Sequence, residues 1–397
     1  MIYIELQAWE QRKFGEIINE RREKTKVENE EILLSSAIDG MYLNSELFSH
    51  FRGTSNIGYL KIRKNDMILS AQNLHLGNCN INKRFEYGII SPAYKVYSLV
   101  DVDADFMHAW IKKGTTKQFF EKATTEGASV CRKNIEWGTL YNQKMDIPIY
   151  SEQQKIGTFF QCLDNTIALH QRKLDALKQM KKGFLQQLFP ENGEKVPRVR
   201  FADFQEEWEQ RKLGDITDSF EYGLNASAKE YDGKSKYIRI TDIDESSHLF
   251  NQENLTSPDT CLDYANNYLL EEGDILFART GASTGKSYCY TKNDGRVYFA
   301  GFLIRARIKQ KYDVKFIFQN TLTSKYNNFI QITSQRSGQP GINALEYSKF
   351  ALCIPKLTEQ NKIGSFFQQL DKTIAIYHYR LDQLNILKKA CLQSMFI

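Results

Sequence analysis

Two stretches of the chain carry a heptad pattern of apolar residues. The pattern repeats at alternating spacings of four and three residues, from Ile156 in the first stretch and from Ile363 in the second. Its apolar members are Ile156, Phe160, Leu163, Ile167, Leu174 and Leu177, then Ile363, Phe367, Leu370, Ile374, Leu381 and Leu384. Such a pattern predicts two long helices whose seams pair as a coiled coil. A surface helix packed on a globular body is the alternative. His170 lies in the first seam, where a polar residue commonly fixes the register.

The two helices are expected to run antiparallel. Each follows an Ile-Pro pair, and Ser151 and Thr358 stand where N-caps are predicted. A helix of about 36 residues is ~54 Å long. The link from Phe189 to Trp208 is short and holds two prolines and a glycine. A parallel pair would require this link to return along nearly the whole helix, so an antiparallel spacer with one variable region at each end is favoured.

The regions between the helices alternate apolar and polar residues with the period of strands. In the second region SKYIRITDID, GDILFAR, KSYCYT and RVYFAGFLIRARI read as strands, and FIFQNTLTSKYNNFI reads as helix. The first region repeats the order, with NDMILSAQN matching GDILFARTG and YGIISPAYKVY matching AGFLIRARI. We therefore predict an α+β protein in which one mixed fold occurs twice with different surfaces.

Two shared segments divide the chain into repeats. WEQRKFGEI at Trp9–Ile17 returns as WEQRKLGDI at Trp208–Ile216. The segment Ile147–Phe189 returns at Ile354–Phe396 with 23 of 43 positions identical. A two-unit repeat with a pseudo-twofold arrangement follows. The predicted boundaries are a first recognition domain at 1–147, a spacer helix at 148–190, a linker at 191–207, a second recognition domain at 208–353 and a second spacer helix at 354–397.

Composition limits the class of protein. The 397 residues are 42% hydrophobic and 25% charged, as in globular proteins. No apolar run approaches the ~20 residues that span a bilayer, and no signal peptide opens the chain. Seven scattered cysteines without a CxxC pair predict reduced thiols and a cytoplasmic location. The net charge of +5 is compatible with a nucleic-acid partner.

Catalytic motifs are missing from the sequence. Gly281–Ser287 reads GASTGKS, with three residues between its glycines where a phosphate loop needs four, and a strand-like segment follows. A turn between strands is the better interpretation. GxGxxG, Asn-Pro and HExxH do not occur, and the six histidines have no metal-ligand spacing. The sequence predicts neither an active site nor a metal site.

Polar and basic residues gather near the predicted turns and are candidate DNA contacts. Arg, Lys, Gln and Asn reach base edges, while Ser and Thr suit phosphates. A solvated loop remains the alternative for any one of them. The candidates in the first region are Gln72, Asn73, His75, Asn78, Arg132, Lys133 and Asn134, and in the second Arg279, Thr280, Ser283, Lys286, Arg336, Gln339 and Asn343.

The chain resembles the specificity subunit of type I restriction–modification systems over essentially its whole length. The resemblance lies in WEQRKLGDI, GDILFARTGASTGK, SGQPGINALEYSKFALCIP and the repeated EQxKIGxFFxxLDxTIA. It implies that each recognition domain reads one half of a bipartite double-stranded DNA target. The helices would dock two modification (methyltransferase) subunits, and restriction subunits would complete the enzyme. The chain itself would catalyse nothing and contact no membrane. S-adenosylmethionine, ATP and Mg²⁺ would bind the partner subunits.

One departure and three rival hypotheses accompany this resemblance. The second WEQRK is preceded by the segment PRVRF (Pro197–Phe201), which the first copy lacks. The N-terminal edge of the first domain is therefore expected to be less well packed. A nuclease or methyltransferase acting alone would turn over DNA when purified. A coiled-coil scaffold would show no DNA sequence preference. A stand-alone DNA-binding protein would need no restriction partners.

Overall fold

The chain divides into two compact units. The computed structural model describes residues 9–49, 55–129, 132–191 and 193–396. The first unit comprises Met1–Arg172 with Tyr379–Ile397, and the second comprises Lys173–His378. Both boundaries fall inside long helices, so each long helix contributes one end to each unit.

The first unit is a mixed α and β domain. Its central antiparallel sheet has the strand order β2-β9-β6-β7. Buried residues of this sheet and of α2 form the main core, which Phe160 of α5 also joins. The strands are β1 (Glu10–Lys13), β2 (Ile18–Arg21), β3 (Leu34–Ser36), β4 (Met41–Leu43), β5 (Leu60–Arg63), β6 (Met67–Ser70), β7 (Cys79–Ile81), β8 (Tyr87–Ile90), β9 (Tyr94–Leu99), β10 (Thr124–Ser129), β11 (Arg132–Ile135) and β12 (Lys144–Ile147). The helices are α1 (Asn44–Leu47), α2 (Ala104–Ile111), α3 (Thr116–Glu121), α4 (Trp137–Asn142) and α5 (Tyr150–Gln187).

The second unit repeats the same sheet. Its antiparallel order β14-β21-β18-β19 corresponds element by element to that of the first unit. The strands are β13 (Glu209–Lys212), β14 (Thr217–Tyr222), β15 (Ala228–Glu230), β16 (Lys236–Ile238), β17 (Thr256–Pro258), β18 (Asp274–Ala278), β19 (Ser287–Cys289), β20 (Val297–Phe299), β21 (Leu303–Ile308) and β22 (Ala351–Ile354). The helices are α6 (Val314–Asn320), α7 (Ser324–Thr333), α8 (Ala344–Ser348) and α9 (Leu357–Ser394). The prediction of one α+β fold occurring twice is confirmed.

The repeated WEQRK forms the strand that closes each domain. In the first unit β1 pairs antiparallel with β12, with Glu10 opposite Ile147. In the second, β13 pairs with β22, with Glu209 opposite Ile354. Strands β12 and β22 lead directly into the long helices. The WEQRK strand therefore pairs the start of each domain with the segment that precedes its long helix. Trp208 is 1% exposed, whereas the tryptophan of the first copy is only half-buried.

The repeated EQxKIG fixes how each long helix begins. Gln153 and Gln360 are buried, and each donates a hydrogen bond to the carbonyl of the preceding proline at 2.8 Å. Their amide oxygens accept from the backbone N–H groups of Asp103 at 2.9 Å and Asp313 at 3.0 Å. These two aspartates cap α2 and α6. One glutamine per unit therefore connects the long helix to the shorter capped one, because its amide both donates and accepts.

The glycine of the same motif allows this close approach. A Cβ at Gly157 would lie 2.7 Å from both Asp103 Oδ1 and the backbone nitrogen of Phe106. A Cβ at Gly364 would collide with Asp313 Oδ1 still more closely. Any side chain at these two positions would push the capped helix away from the long one.

Replacing Gly364 by alanine is expected to destabilise the second unit. The added methyl group overpacks against Asp313, which costs about 1–3 kcal/mol. Gly183→Ala is the matched control, since a methyl group added to this helical glycine of the same unit would meet no atom within 4 Å. That change should raise stability by about 0.5–1 kcal/mol because alanine is the better helix former. Urea unfolding measures both, and equal effects would show that Gly364 is not a packing requirement.

The long helices pair antiparallel within each unit. In the first unit Lys388 Nζ lies 2.5 Å from Asp164 Oδ1, and in the second Lys181 Nζ lies 2.7 Å from Asp371 Oδ1. These ion pairs occupy equivalent positions of the repeat. All twelve predicted apolar seam residues are buried or half-buried. The antiparallel prediction is confirmed in both units.

Two details of the helices differ from expectation or extend it. The predicted caps Ser151 and Thr358 are wrong, because the helices already begin at Tyr150 and Leu357. The first helical hydrogen bonds go to the carbonyls of Ile149 and Lys356, which places both hydroxyl residues inside the first turn. The His170 Nδ1 atom lies 2.9 Å from the carbonyl oxygen of Thr166 on its own helix. A register-setting role for this histidine stays a prediction.

The described ranges hold neither a membrane-spanning helix nor a metal-ligand cluster. No helix within them is long and apolar enough to cross a bilayer. No cluster of His, Cys, Asp and Glu side chains in those ranges could hold a metal ion.

Candidate nucleic-acid interface

Two loops of the second unit that carry predicted DNA contacts come together. Residues 279–286 follow β18, and residues 335–343 precede α8. The N–H of Gly281 donates to the Pro340 carbonyl at 3.0 Å, and the N–H of Ile342 donates to the Arg279 carbonyl at 2.9 Å. Thr280 also forms a β-bridge with Gly341. The two loops are thus joined through their backbones.

The GASTGKS segment is the turn between β18 and β19, as predicted. Gly281 has φ +74°, a left-handed conformation that favours glycine. Its Cβ position would lie 2.8 Å from the Gln339 amide nitrogen, so the exposed Gln339 covers this turn. Thr280 and Ser283 are half-buried on the same loop.

Arg279 is held in an unusual environment for a surface arginine. Its guanidinium carbon lies 4.8 Å from the centroid of the Tyr222 ring. No carboxylate among the described residues forms an ion pair with it. Tyr222 is 44% exposed, and its hydroxyl accepts from the N–H of Ala344 at 3.3 Å. The half-buried arginine therefore packs against an aromatic ring that is itself anchored to the start of α8.

Other candidate DNA contacts of the second unit form ion pairs or hydrogen bonds within the protein. Arg336 makes a two-pronged contact with Glu346 at 2.6 and 2.7 Å. Asn343 caps α8, accepting from the N–H of Glu346. Lys286 lies 3.5 Å from Glu245. Arg336 and Asn343 therefore hold the loop in shape, and a DNA contact by either stays a prediction.

Half of the first-unit loop candidates point inward. His75 is 8% exposed and Asn78 is 7% exposed. Asn78 Oδ1 accepts from the Ser36 hydroxyl at 3.0 Å. Burial makes a supporting role the better interpretation of Asn78, which has an internal hydrogen bond, while a DNA contact by either residue stays a prediction. Gln72 is exposed and Asn73 half-buried, so both stay candidates.

The remaining first-unit candidates lie on β11. Lys133 forms an ion pair with Glu121 of α3 at 3.0 Å, and Asn134 is exposed. The side chain of Arg132 lies outside the described residues. Helix α3 also borders the loop at 72–78, because a Cβ at Gly77 would contact the Lys117 side chain at 3.0 Å. The two candidate groups of this unit therefore flank one helix.

A cleft of about 700 Å³ opens beside Arg279. Its lining includes Tyr222, Phe302 and Arg239. Phe302 is 60% exposed on the turn between β20 and β21. Arg239 is bound through two nitrogens to Asp242, and this hydrogen bonding raises the pKa of the arginine. Tyr222 and Phe302 are absent from the sequence-based candidates, because an alternating strand pattern assigns such aromatics to the core.

A second cavity, of about 730 Å³, has a different character. It lies between the linker and the start of α9, and three acidic residues, Glu206, Glu207 and Glu209, are part of its wall. Arg200 of the linker holds Glu359 through two contacts of 2.7 Å. The wall also holds Arg211, Lys311 and Lys356, so its charge is mixed, and the Arg200–Glu359 contact shows that the cavity lies where the linker is anchored to α9.

Comparison with known proteins identifies the family. The family model of the type I restriction modification DNA specificity domain matches twice, at residues 8–179 and 205–385. The MjaVIII specificity subunit of a type I restriction enzyme from Methanocaldococcus jannaschii is 20% identical over 367 residues, 88% of this chain and 82% of that protein. A putative MjaX specificity subunit from the same organism is 25% identical over 213 residues, 51% of this chain and 48% of that protein.

Solved structures show the same fold. The S subunit of a type I restriction-modification system from M. genitalium aligns with a TM-score of 0.66 at 14% identity, over 100% of this chain and 98% of that one. A chain from a structural study of type I system assembly and conformational transition aligns with a TM-score of 0.51 at 13% identity, over 97% of both.

The chain belongs to the type I restriction modification DNA specificity family. It is a DNA-recognition subunit of a restriction–modification complex and a non-catalytic component of it. Family membership decides against the scaffold and stand-alone hypotheses, and the duplicated fold is the structural counterpart of the two family matches.

Proposed function

We propose that each unit reads one half of a bipartite double-stranded DNA target. The observation that carries this proposal is the duplicated sheet with unlike loops. Both units present a loop after the third strand of the shared sheet order, 72–78 in one and 279–286 in the other. The first loop offers amides, and the second offers an arginine and hydroxyl groups. Because base edges are distinguished by their donors and acceptors, unlike loops read unlike sequences.

The helix pairs supply docking surfaces for two modification subunits. Leu169 and Leu387 are 59% and 48% exposed in the first unit. Ile376 and Met180 are 51% and 43% exposed in the second. Leu169 aligns with Ile376 in the repeat, and Met180 aligns with Leu387. Equivalent exposed apolar residues in the two units support one methyltransferase partner per unit, since such exposed residues mark interaction surfaces.

The catalytic chemistry is assigned to the partner subunits. In this proposal S-adenosylmethionine binds the modification subunits, while ATP and Mg²⁺ serve the restriction subunits that join the complex. The chain contributes sequence recognition and assembly. A cytoplasmic location accords with its scattered thiols, which are free throughout the described ranges.

Reconstituted methylation tests the proposed function. Modification subunits mixed with this chain and S-adenosylmethionine are expected to methylate DNA carrying the target, because only the chain supplies sequence recognition. Omitting the chain should reduce incorporation of labelled methyl groups to background. The purified chain alone should neither methylate nor cleave DNA. Turnover by the chain alone, or equal methylation without it, would overturn the proposal.

A further inference from the structure

The two units have the same backbone arrangement beside the third strand of the sheet, β6 in one and β18 in the other. This arrangement is called the frame below. In the first unit the N–H of Ala71 donates to the carbonyl of Ala93 at 3.2 Å. In the second, the N–H of Arg279 donates to the carbonyl of Phe302 at 3.0 Å. The strand registers make these bonds equivalent, since Ser70 lies opposite Tyr94 and Ala278 lies opposite Leu303. One frame thus carries two alanines in one unit and an arginine with a phenylalanine in the other.

A third position of the frame also differs. Tyr222 ends β14, and the residue that follows β2 at the equivalent place is Arg22. Arg22 forms an ion pair with Glu20 at 2.6 Å, whereas Tyr222 supports the ring contact with Arg279. The side chains vary where the backbone is constant, which is the arrangement expected of residues that select a ligand on a common scaffold.

Arg279 is held by contacts of both its backbone and its side chain. Its N–H is bonded to Phe302 and its carbonyl to the N–H of Ile342. The Tyr222 ring under the guanidinium is in turn anchored to Ala344. A planar fork with a fixed plane loses less entropy when it forms two parallel hydrogen bonds.

We propose that Tyr222, Arg279 and Phe302 form the guanine-reading site of the second unit. Resting on the proposed function, Arg279 donates two hydrogen bonds to O6 and N7 of one guanine in the major groove, the pairing that this fork fits best. Tyr222 positions the guanidinium plane by stacking. Phe302, exposed beside it, makes apolar contact with the neighbouring base pair. The first unit carries alanines at two of the three positions and therefore reads its half-site without this site.

The test uses the complete complex with its modification subunits and a DNA library randomised through the target. Arg279→Lys keeps the charge but loses the planar fork. It is expected to weaken binding of the cognate sequence by about 5- to 150-fold, the equivalent of one lost bidentate contact. The preference for guanine should disappear at one position of one half-site. Tyr222→Leu should weaken the guanine preference at the same position. Phe302→Ala should weaken the base preference only at the neighbouring position.

Arg211→Ala is the matched control. It removes a guanidinium from β13 that is already paired with Glu209, and the selected sequence should not change. The half-site read by the first unit reports in every variant that the complex is folded and assembled. If Arg279→Lys kept the guanine preference, with affinity nearly unchanged or lowered equally for all sequences, Arg279 would be a phosphate contact and the guanine site would be overturned. If the wild-type complex selected no sequence at all, the proposed function would fail instead.

Discussion

Inserting one heptad into each long helix is expected to lengthen the unread gap in the DNA target without changing the letters read on either side. Each long helix contributes one end to each unit, so added residues lengthen the helix between those ends. Seven residues after Leu177 and seven after Leu384 keep the seam in phase. The insertion adds ~10 Å at 1.5 Å per residue. At ~3.4 Å per base pair this allows up to ~3 more unread positions, and tilt between the helices and the DNA should reduce the change to one or two.

The control for this experiment is a three-residue insertion at the same sites. It rotates the seam out of phase between the two insertion sites and should impair docking of the modification subunits. The methylated motif of each variant, found by sequencing, is the readout. An in-phase variant that stays active with an unchanged gap would show that the helices do not set the spacing.

Exchanging residues 18–147 for those of another family member is expected to replace one half-site completely and leave the other intact. The exchanged segment runs from β2 to β12 and keeps β1, whose pairing with β12 uses backbone groups and so accepts a different sequence. The change should be large, because every loop of the first unit is replaced. Motif sequencing measures it.

The exchange must preserve the contacts between the replaced segment and the retained residues, among them one aromatic pair. The rings of Phe106 and Phe396 lie 5.4 Å apart in the core of the first unit. A donor segment should therefore carry an aromatic residue at the position of Phe106, so that the retained helix end still packs. The same exchange with alanine placed at that position is the control, and it should lose stability before specificity. If both half-sites changed together, the assignment of one unit to one half-site would be wrong.

The architecture could be predicted from the sequence because it depends on periodicity and repetition. The heptads placed Leu174, Leu381 and the other seam residues correctly, and antiparallel pairing followed from the short linker. The duplicated sheet followed from GDILFARTG and its counterpart NDMILSAQN. These signals are local in the chain, so they survive without knowledge of tertiary contacts.

The roles of single polar residues could not be predicted, because they depend on contacts distant in sequence. Gln153 reads as a surface residue of a helix, yet it is buried and binds the backbone of Asp103. Asn78 and Arg336 have the side chains expected of base contacts, but one lies in the core and the other is held by Glu346. Phe302 shows the opposite case. A strand pattern assigns such an aromatic residue to the core, but in the structure it is exposed beside a strand.

Single-molecule sequencing of DNA methylated by the modification subunits, with and without this chain, tests most directly whether the two units read two halves of one target. We predict one methylated motif made of two unlike specific parts with an unread gap between them. That motif should vanish when the chain is left out. Methylation of a single uninterrupted motif, or the same motif in the absence of the chain, would contradict the claim that two units read two halves of one target.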